Sequence, residues 1–292
     1  MSAPIRSILI YGGDKEHSNL GPYAFNAKKK EALFRDLAAF REIQGKDSWE
    51  ILTFSGKNLV GELERRNPRV TLLVVPAGPS SNFDKSFSAE QLAFLRERFF
   101  NCGGRGWFTC GSAYWVSRVR CYSGAESKNS LFPLFEGAAE GPLCPFPGNR
   151  YKTDFYSDAV KVTDGKSCCR LYLSGGGSFI PDKESSQKVR VLARYSPKEL
   201  RRLNIEEPAL KKRENAAVMV SVGEGAALLE MFHPEYKAQD FDVERCKKAF
   251  PDCGTDWERV RSKIGSLADR VNFCLALLQP LEEMDFSEPR CL

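Results

Sequence analysis

Residues 70–79 read Val70-Thr71-Leu72-Leu73-Val74-Val75-Pro76-Ala77-Gly78-Pro79. Apolar side chains run almost unbroken to Val75, and Pro76, Gly78 and Pro79 then stop the run. A short apolar segment closed by turn residues fits a strand covered on both faces, as a central parallel strand is. Neighbouring segments repeat the theme. Ser7–Tyr11 (SILIY) closes at Gly12-Gly13, residues 49–54 (WEILTF) form a second run, and residues 106–109 (GWFT) a further one. Between them, Ala27–Ile43 carries apolar residues at helical spacing, and residues 58–66 make a shorter helical stretch. Residues 88–101 open on Ser88 with Gln91 three positions on, the spacing of a capping box. Strands alternating with helices predict parallel βαβ units: an α/β fold with a mostly parallel, doubly wound sheet and helices on both faces.

Farther along, a helix is expected over 111–119 and a Gly/Pro-rich loop over 137–149. Strands are expected at 170–174, Val189–Tyr195, 216–221 and 226–232, with a hairpin turn at 222–225. The charged stretch 197–215 reads as a surface excursion, and 255–278 as one long amphipathic C-terminal helix. No linker divides the chain, so residues 1–292 are expected to form one domain.

The chain has 292 residues, with 43 Lys plus Arg against 38 Asp plus Glu, a net charge of +5. So mild an excess requires neither a nucleic acid nor a membrane as partner. The apolar stretch 8–11 is too short for a signal-peptide core, and no run approaches the roughly 20 apolar residues of a membrane span. A cytoplasmic location follows as the expectation. Ten cysteines form no CxxC pair and only two histidines accompany them, so reduced thiols are expected and no metal site or cofactor.

Cys110 lies where a strand passes into a helix, in Trp107-Phe108-Thr109-Cys110-Gly111-Ser112-Ala113-Tyr114. A nucleophile on such a turn projects beyond the C-terminal edge of the sheet. The positive end of the following helix favours thiolate there, and small Gly111 and Ser112 permit a tight elbow. A buried structural cysteine is the competing reading. His233 follows the apolar run 226–232 and precedes Pro234 and Glu235. In extended chain, residues i and i+2 face the same side, so Glu235 can orient the His233 imidazole, as a base and its orienter require. His17 lies in a polar loop and carries no such pattern. Backbone N–H groups of Gly111 and of the 77–78 loop, at Gly78, are candidates for an oxyanion hole. Gly175-Gly176-Gly177 either lines the pocket, with Gly176 touching substrate, or is a plain turn.

Together these segments resemble the domain at the N-terminus of eukaryotic-type biotin–protein ligases and of related stand-alone proteins, within the class I glutamine amidotransferase-like superfamily. The stretches that carry the resemblance are ILIYGG, LLVVPAG (72–78), GGRGWFTCGSAYWVSRV (103–119), LYLSGGGSFI (171–180), VRVLARYS (189–196) and AAVMVSVGEGAALLEMFHPEY (216–236). The resemblance implies a flavodoxin-like fold with Cys110 as nucleophile, His233 as base and Glu235 as orienter. It also implies an oxyanion hole at Gly78 and Gly111. Two positions depart from the superfamily's glutaminases, which usually carry Gly two residues after the nucleophile and Gln four after: Ser112 and Tyr114 stand there, on the substrate side of the elbow. No biotin-ligase catalytic domain is recognised, so ligase activity is not expected.

Two functions follow. One is a cysteine-dependent hydrolase or amidotransferase-like protein acting on a small amide or ester. The other is a non-catalytic ligand-binding or regulatory module associated with protein biotinylation, with a biotin-pathway protein as partner.

Overall fold

The computed structural model describes residues 4–13, 27–129, 131–143, 157–205, 207–249, 251 and 254–284. His17 and the end of the expected loop, 144–149, lie outside the described residues. In chain order the elements are β1 (Ser7–Tyr11), α1 (Ala27–Ile43), β2 (Glu50–Phe54), α2 (Leu59–Glu64), β3 (Thr71–Val75), α3 (Ser80–Ser86), α4 (Ala89–Phe94), β4 (Arg105–Thr109) and α5 (Gly111–Trp115). There follow β5 (Ser117–Tyr122), β6 (Ala125–Lys128), β7 (Phe135–Gly141), β8 (Ser157–Thr163), β9 (Cys168–Ser174), β10 (Ser178–Pro181) and β11 (Val189–Tyr195). The last elements are α6 (Pro197–Arg202), α7 (Glu207–Leu210), β12 (Asn215–Val222), β13 (Gly225–Glu230), α8 (Val243–Ala249), α9 (Trp257–Lys263) and α10 (Leu267–Glu282).

A large sheet runs in the order β2-β1-β3-β4-β13-β12-β11-β8-β9. Its first five strands are parallel, and every later pairing is antiparallel. The sheet is therefore mixed, and the expectation of a mostly parallel one is corrected. The reason is local: Gly223 takes a positive φ of 57° and Val222 pairs with Gly225, so β12 and β13 join by a tight hairpin that reverses the chain. The antiparallel half is then built outward from β12.

Helices cover both faces. The strand period of two separates Ile8, Ile10, Leu72 and Val74 from Leu9, Tyr11, Leu73 and Val75. The first set packs with Leu33, Phe34 and Leu37 of α1 and Phe273, Leu277 and Leu278 of α10. The second packs with α2, α3, α4 and α5 through Leu59, Phe83, Leu92 and Trp115. α4 opens on the expected capping box between Ser88 and Gln91.

Several expectations need correction. The helix expected over 111–119 ends at Trp115, and β5 begins at Ser117. The Trp115 carbonyl accepts from Asn129 and Arg120, and β-branched Val116 and Val119 favour extended chain. Most of the loop expected at 137–149 that falls among the described residues is strand β7, whose side chains alternate between buried and half-buried. Strands β10-β7-β5-β6 form a second sheet that the sequence reading omitted. The C-terminal helix expected over 255–278 is two helices, α9 and α10. Between them the Gly265 N–H donates to the Arg170 carbonyl of β9 at 2.8 Å, and a Cβ on Gly265 would lie 2.8 Å from Cys169 Sγ. Ser266 then caps α10. The charged stretch 197–215 carries α6 and α7, with Leu200 and Leu210 buried. Cys102 is disulfide-bonded, against the expectation of reduced thiols throughout, because pairing depends on distance in the fold rather than on spacing in sequence.

Candidate functional site

Cys110 sits between β4 and α5 with φ 51° and ψ −111°. Such a backbone conformation is costly for a residue with a side chain and needs surroundings that impose it. Three features do so. The Cys110 N–H donates to the Glu230 carbonyl of β13 at 2.7 Å. Ser112 Oγ accepts from the Thr109 N–H at 2.8 Å and donates to the Val75 carbonyl at 2.7 Å. Gly111 packs so closely on Gly78 that a Cβ would fall 1.7 Å from the Gly78 carbonyl oxygen, so only glycine fits at that position.

The structure brings Gly78 and Gly111 together beside Cys110. It places Ser112 differently. Ser112 is fully buried and its hydroxyl is spent on the elbow's backbone, so it fastens the turn and is not available to a substrate. Gly176 is likewise turned away from the cavity. Its carbonyl accepts from the Tyr114 hydroxyl at 3.0 Å, and its Cα packs on Leu173. Tyr114 does line the cavity, and burial pushes its hydroxyl well above the ordinary tyrosine value.

His233 lies three residues beyond β13. Its N–H donates to the Tyr172 carbonyl at 2.8 Å, and the rings of Tyr172 and Tyr236 pack on the imidazole with centroids 5.5 and 5.7 Å away. Arg270 of α10 donates to the Pro234 carbonyl at 2.7 Å and clamps the loop. His233 Nδ1 meets Glu235 Oε1 at 3.1 Å. Glu235 Oε2 forms an ion pair with Lys30 Nζ at 3.1 Å, and the same ammonium reaches Glu230 Oε1 at 2.7 Å. Glu230 Oε1 also accepts from Thr109 Oγ1 at 2.8 Å.

The charges are strongly coupled. Burial alone would lower the His233 pKa, but the Cys110 sulfur and the Glu235 carboxylate outweigh it and hold the imidazole up to about 10. Burial would raise Glu235; Lys30 and His233 prevail and bring it down to about 2. Among the described residues Nε2 of His233 has no hydrogen-bond partner, and the ring shares the cavity with Cys110, whose sulfur is among the causes that raise it.

Cys110, His233 and Glu235 open into one cavity of about 420 Å³. Its floor is the elbow and the 77–78 loop, and one wall comes from the second sheet through Arg120, Tyr122 and Glu126. Arg120 is already engaged by both Asp84 oxygens, at 2.9 and 3.1 Å. No group of three or more metal-ligating side chains is present among the described residues, and no described helix is long and apolar enough to cross a membrane.

Lys30, Glu230 and Tyr172 were missed in the sequence. Lys30 had a signal: it shares the buried stripe of α1 with Ala27, Phe34 and Leu37, where a lysine demands a partner. Glu230 had one too, as the only charge in the apolar run 226–232.

Comparison with known proteins adds one decisive match. The family model described as "Biotin-protein ligase, N terminal" matches residues 30–283. The chain belongs to this family. The match begins at Lys30 and includes Cys110, His233 and Glu235. None of the curated proteins matches the chain. Among solved structures, a putative ThuA-like protein from Bacteroides uniformis is 14% identical, with 80% of this chain and 84% of that one covered and a TM-score of 0.38. A cytoplasmic protein from Salmonella typhimurium LT2 is 12% identical, with 89% and 100% covered and a TM-score of 0.43. The β-galactosidase Gan42B is 11% identical over 96% of this chain, which spans only 30% of that enzyme, with a TM-score of 0.42. The biotin-protein ligase N-terminal family is thus the assignment that stands.

Proposed function

We propose that this chain is a cysteine-dependent hydrolase or amidotransferase-like protein, built on a flavodoxin-like, glutamine amidotransferase-like frame. The order β2-β1-β3-β4-β13 of the parallel strands supports that frame. The observation that carries the proposal is the convergence of Cys110, His233 and Glu235 on one cavity, with the imidazole held by a buried carboxylate at 3.1 Å. Cys110 Sγ attacks the carbonyl carbon of a small amide or ester, and the carbonyl π electrons move onto oxygen. Backbone N–H groups at Gly78 and Gly111 hold that oxyanion. The His233 imidazolium gives its proton to the leaving nitrogen or oxygen as the bond to carbon breaks, leaving a thioester on Cys110. The neutral imidazole then takes a proton from water, whose oxygen attacks the thioester, and the thiolate departs.

Tyr114 and the Arg120–Asp84 pairing favour a neutral acyl group. Free glutamine carries an ammonium and a carboxylate that each need a charged partner, and the cavity's arginine already has one.

Membership of the biotin-protein ligase N-terminal family favours a second reading: a non-catalytic ligand-binding or regulatory module linked to a biotin-pathway protein. One experiment separates the two. Wild type and Cys110→Ala are incubated with a panel of small esters and amides, and turnover and intact mass are followed. The enzyme reading expects an acyl adduct on Cys110 and loss of turnover in Cys110→Ala. Equal turnover by the two proteins would overturn it. Thermal stabilisation of Cys110→Ala by biotin, with no turnover by wild type, would favour the second reading.

A further inference from the structure

Behind the imidazole lies a chain of charges that neither catalysis nor packing alone requires. Lys30 is fully buried, with Nζ between two carboxylates that are also fully buried: Glu230 at 2.7 Å and Glu235 at 3.1 Å. An isolated ammonium in such a place would lose its proton or unfold the helix that carries it. The carboxylates hold it charged, and its pKa is raised despite burial. Burial, with Glu235, pushes the Glu230 carboxyl up against the pull of Lys30. With both carboxylates ionised, two negative charges against one positive leave a surplus of one negative charge, in contact with the His233 imidazole at Glu235 Oε1 and with the Thr109 hydroxyl at Glu230 Oε1. Glu230 also reaches the nucleophile from two sides. Its carbonyl accepts the Cys110 N–H, and its carboxylate accepts the hydroxyl of Thr109 next in the chain.

We propose that Lys30 and Glu230 are positioning residues for the Cys110 site. The Lys30 ammonium fastens the outer oxygen of Glu235, which aims the inner oxygen at His233. Glu230 neutralises that ammonium, so the charge of Glu235 stays directed at the imidazole. The inference rests on the reading of Cys110, His233 and Glu235 as a catalytic set, but its test does not. The titratable and charged groups that face this cluster are Cys110 from the elbow, Cys274 and Arg270 from α10, and Tyr172 from β9. Burial pushes Cys274 well above its ordinary value and Tyr172 to about 12, so both stay neutral at physiological pH. Arg270 is engaged by the Pro234 carbonyl.

The test is the His233 titration, followed by NMR of the imidazole in a His17→Gln background, which leaves one histidine in the chain. Glu230→Gln removes one negative charge and leaves Lys30 to be balanced by Glu235 alone, so the His233 pKa should fall by about one unit or more. Lys30→Met combined with Glu230→Gln removes the ammonium and its counter-charge together. His233 should then return to within about half a unit of wild type. A purely structural role predicts no such restoration. An unchanged titration in Glu230→Gln would overturn the proposal, as would an equal fall in the double variant or a wild-type His233 that titrates near 6.5. Should Glu230→Gln not fold, the double variant decides alone: near-wild-type titration supports the proposal and a fall of about one unit overturns it. Failure of the catalytic reading would appear elsewhere, as Cys110 reactivity unaffected by His233→Ala.

Discussion

Two clusters of buried charge can be set side by side. In the first, Lys30, Glu230, Glu235 and His233 lie behind Cys110, and none of the four side chains is more than 6% exposed. In the second, Asp158 is 1% exposed and is held by Arg202 and Arg259, which remain 26% and 32% exposed. Glu199 bridges this second cluster to Arg170 as well as Arg202. Both clusters tie together elements distant in sequence. They differ in where the unbalanced charge points. Around Asp158 the arginines turn to water, which screens any surplus. Behind Cys110 the side chains of Lys30, Glu230 and Glu235 are fully buried, and Glu235 Oε1 contacts the His233 imidazole directly. The Asp158 arrangement holds β8 to α6 and α9. The one behind Cys110 also bears on the imidazole of His233 through Glu235.

The sharpest way to break this comparison is through stability. Lys30→Met leaves two buried carboxylates without their cation and should cost about 3–5 kcal/mol in urea denaturation. Arg259→Met removes a partly exposed partner and leaves Asp158 paired with Arg202, so about 1 kcal/mol or less is expected. Equal costs would erase the distinction between the clusters.

A smaller effect concerns pH. The imidazole's pKa, held near 10, lies above its ordinary 6.5. Its contribution to stability is therefore full below about 6.5 and is lost as pH rises through about 10. Glu235, brought from 4.5 to about 2, contributes fully above its ordinary value and loses that contribution as pH falls through about 2. The stability difference between wild type and His233→Ala should accordingly be flat from about pH 5 to 6.5 and shrink steadily toward pH 10. A difference that grows on that alkaline side would contradict the charge assignment.

Much of the parallel half was legible in the sequence. Its strands are short apolar runs closed by Gly or Pro, and α1 shows its buried stripe. Cys110, His233, Glu235, Gly78 and Gly111 were singled out because each follows the C-terminal end of a strand, β4, β13 or β3, within five residues. In the antiparallel half β9, β11, β12 and the turn before β13 were also legible, while β8 and the second sheet were not. β7 is built from Gly137, Ala138 and Ala139, small residues that resemble a loop. Glycine is required at 137 because a Cβ there would lie 2.4 Å from the Phe135 ring and 2.6 Å from the Ile180 carbonyl oxygen. The break at Gly265 is set by contact with β9, and nothing within 255–278 announces it. Ser112 and Gly176 were assigned to substrate because they flank the elbow and follow a strand. Their hydrogen bonds show that closeness along the chain to a site does not make a residue face it. Lys30 and Glu230 are the converse case, distant in sequence and joined only by the fold.

The central claim is that His233 governs the reactivity of Cys110. Its most direct test is the rate of Cys110 alkylation by iodoacetamide at pH 7, resolved from the other cysteines by peptide mapping, in wild type and in His233→Ala. The account predicts a rate about tenfold or more lower in the variant, because the base partner of the nucleophile is gone. Equal rates in two folded proteins would contradict it.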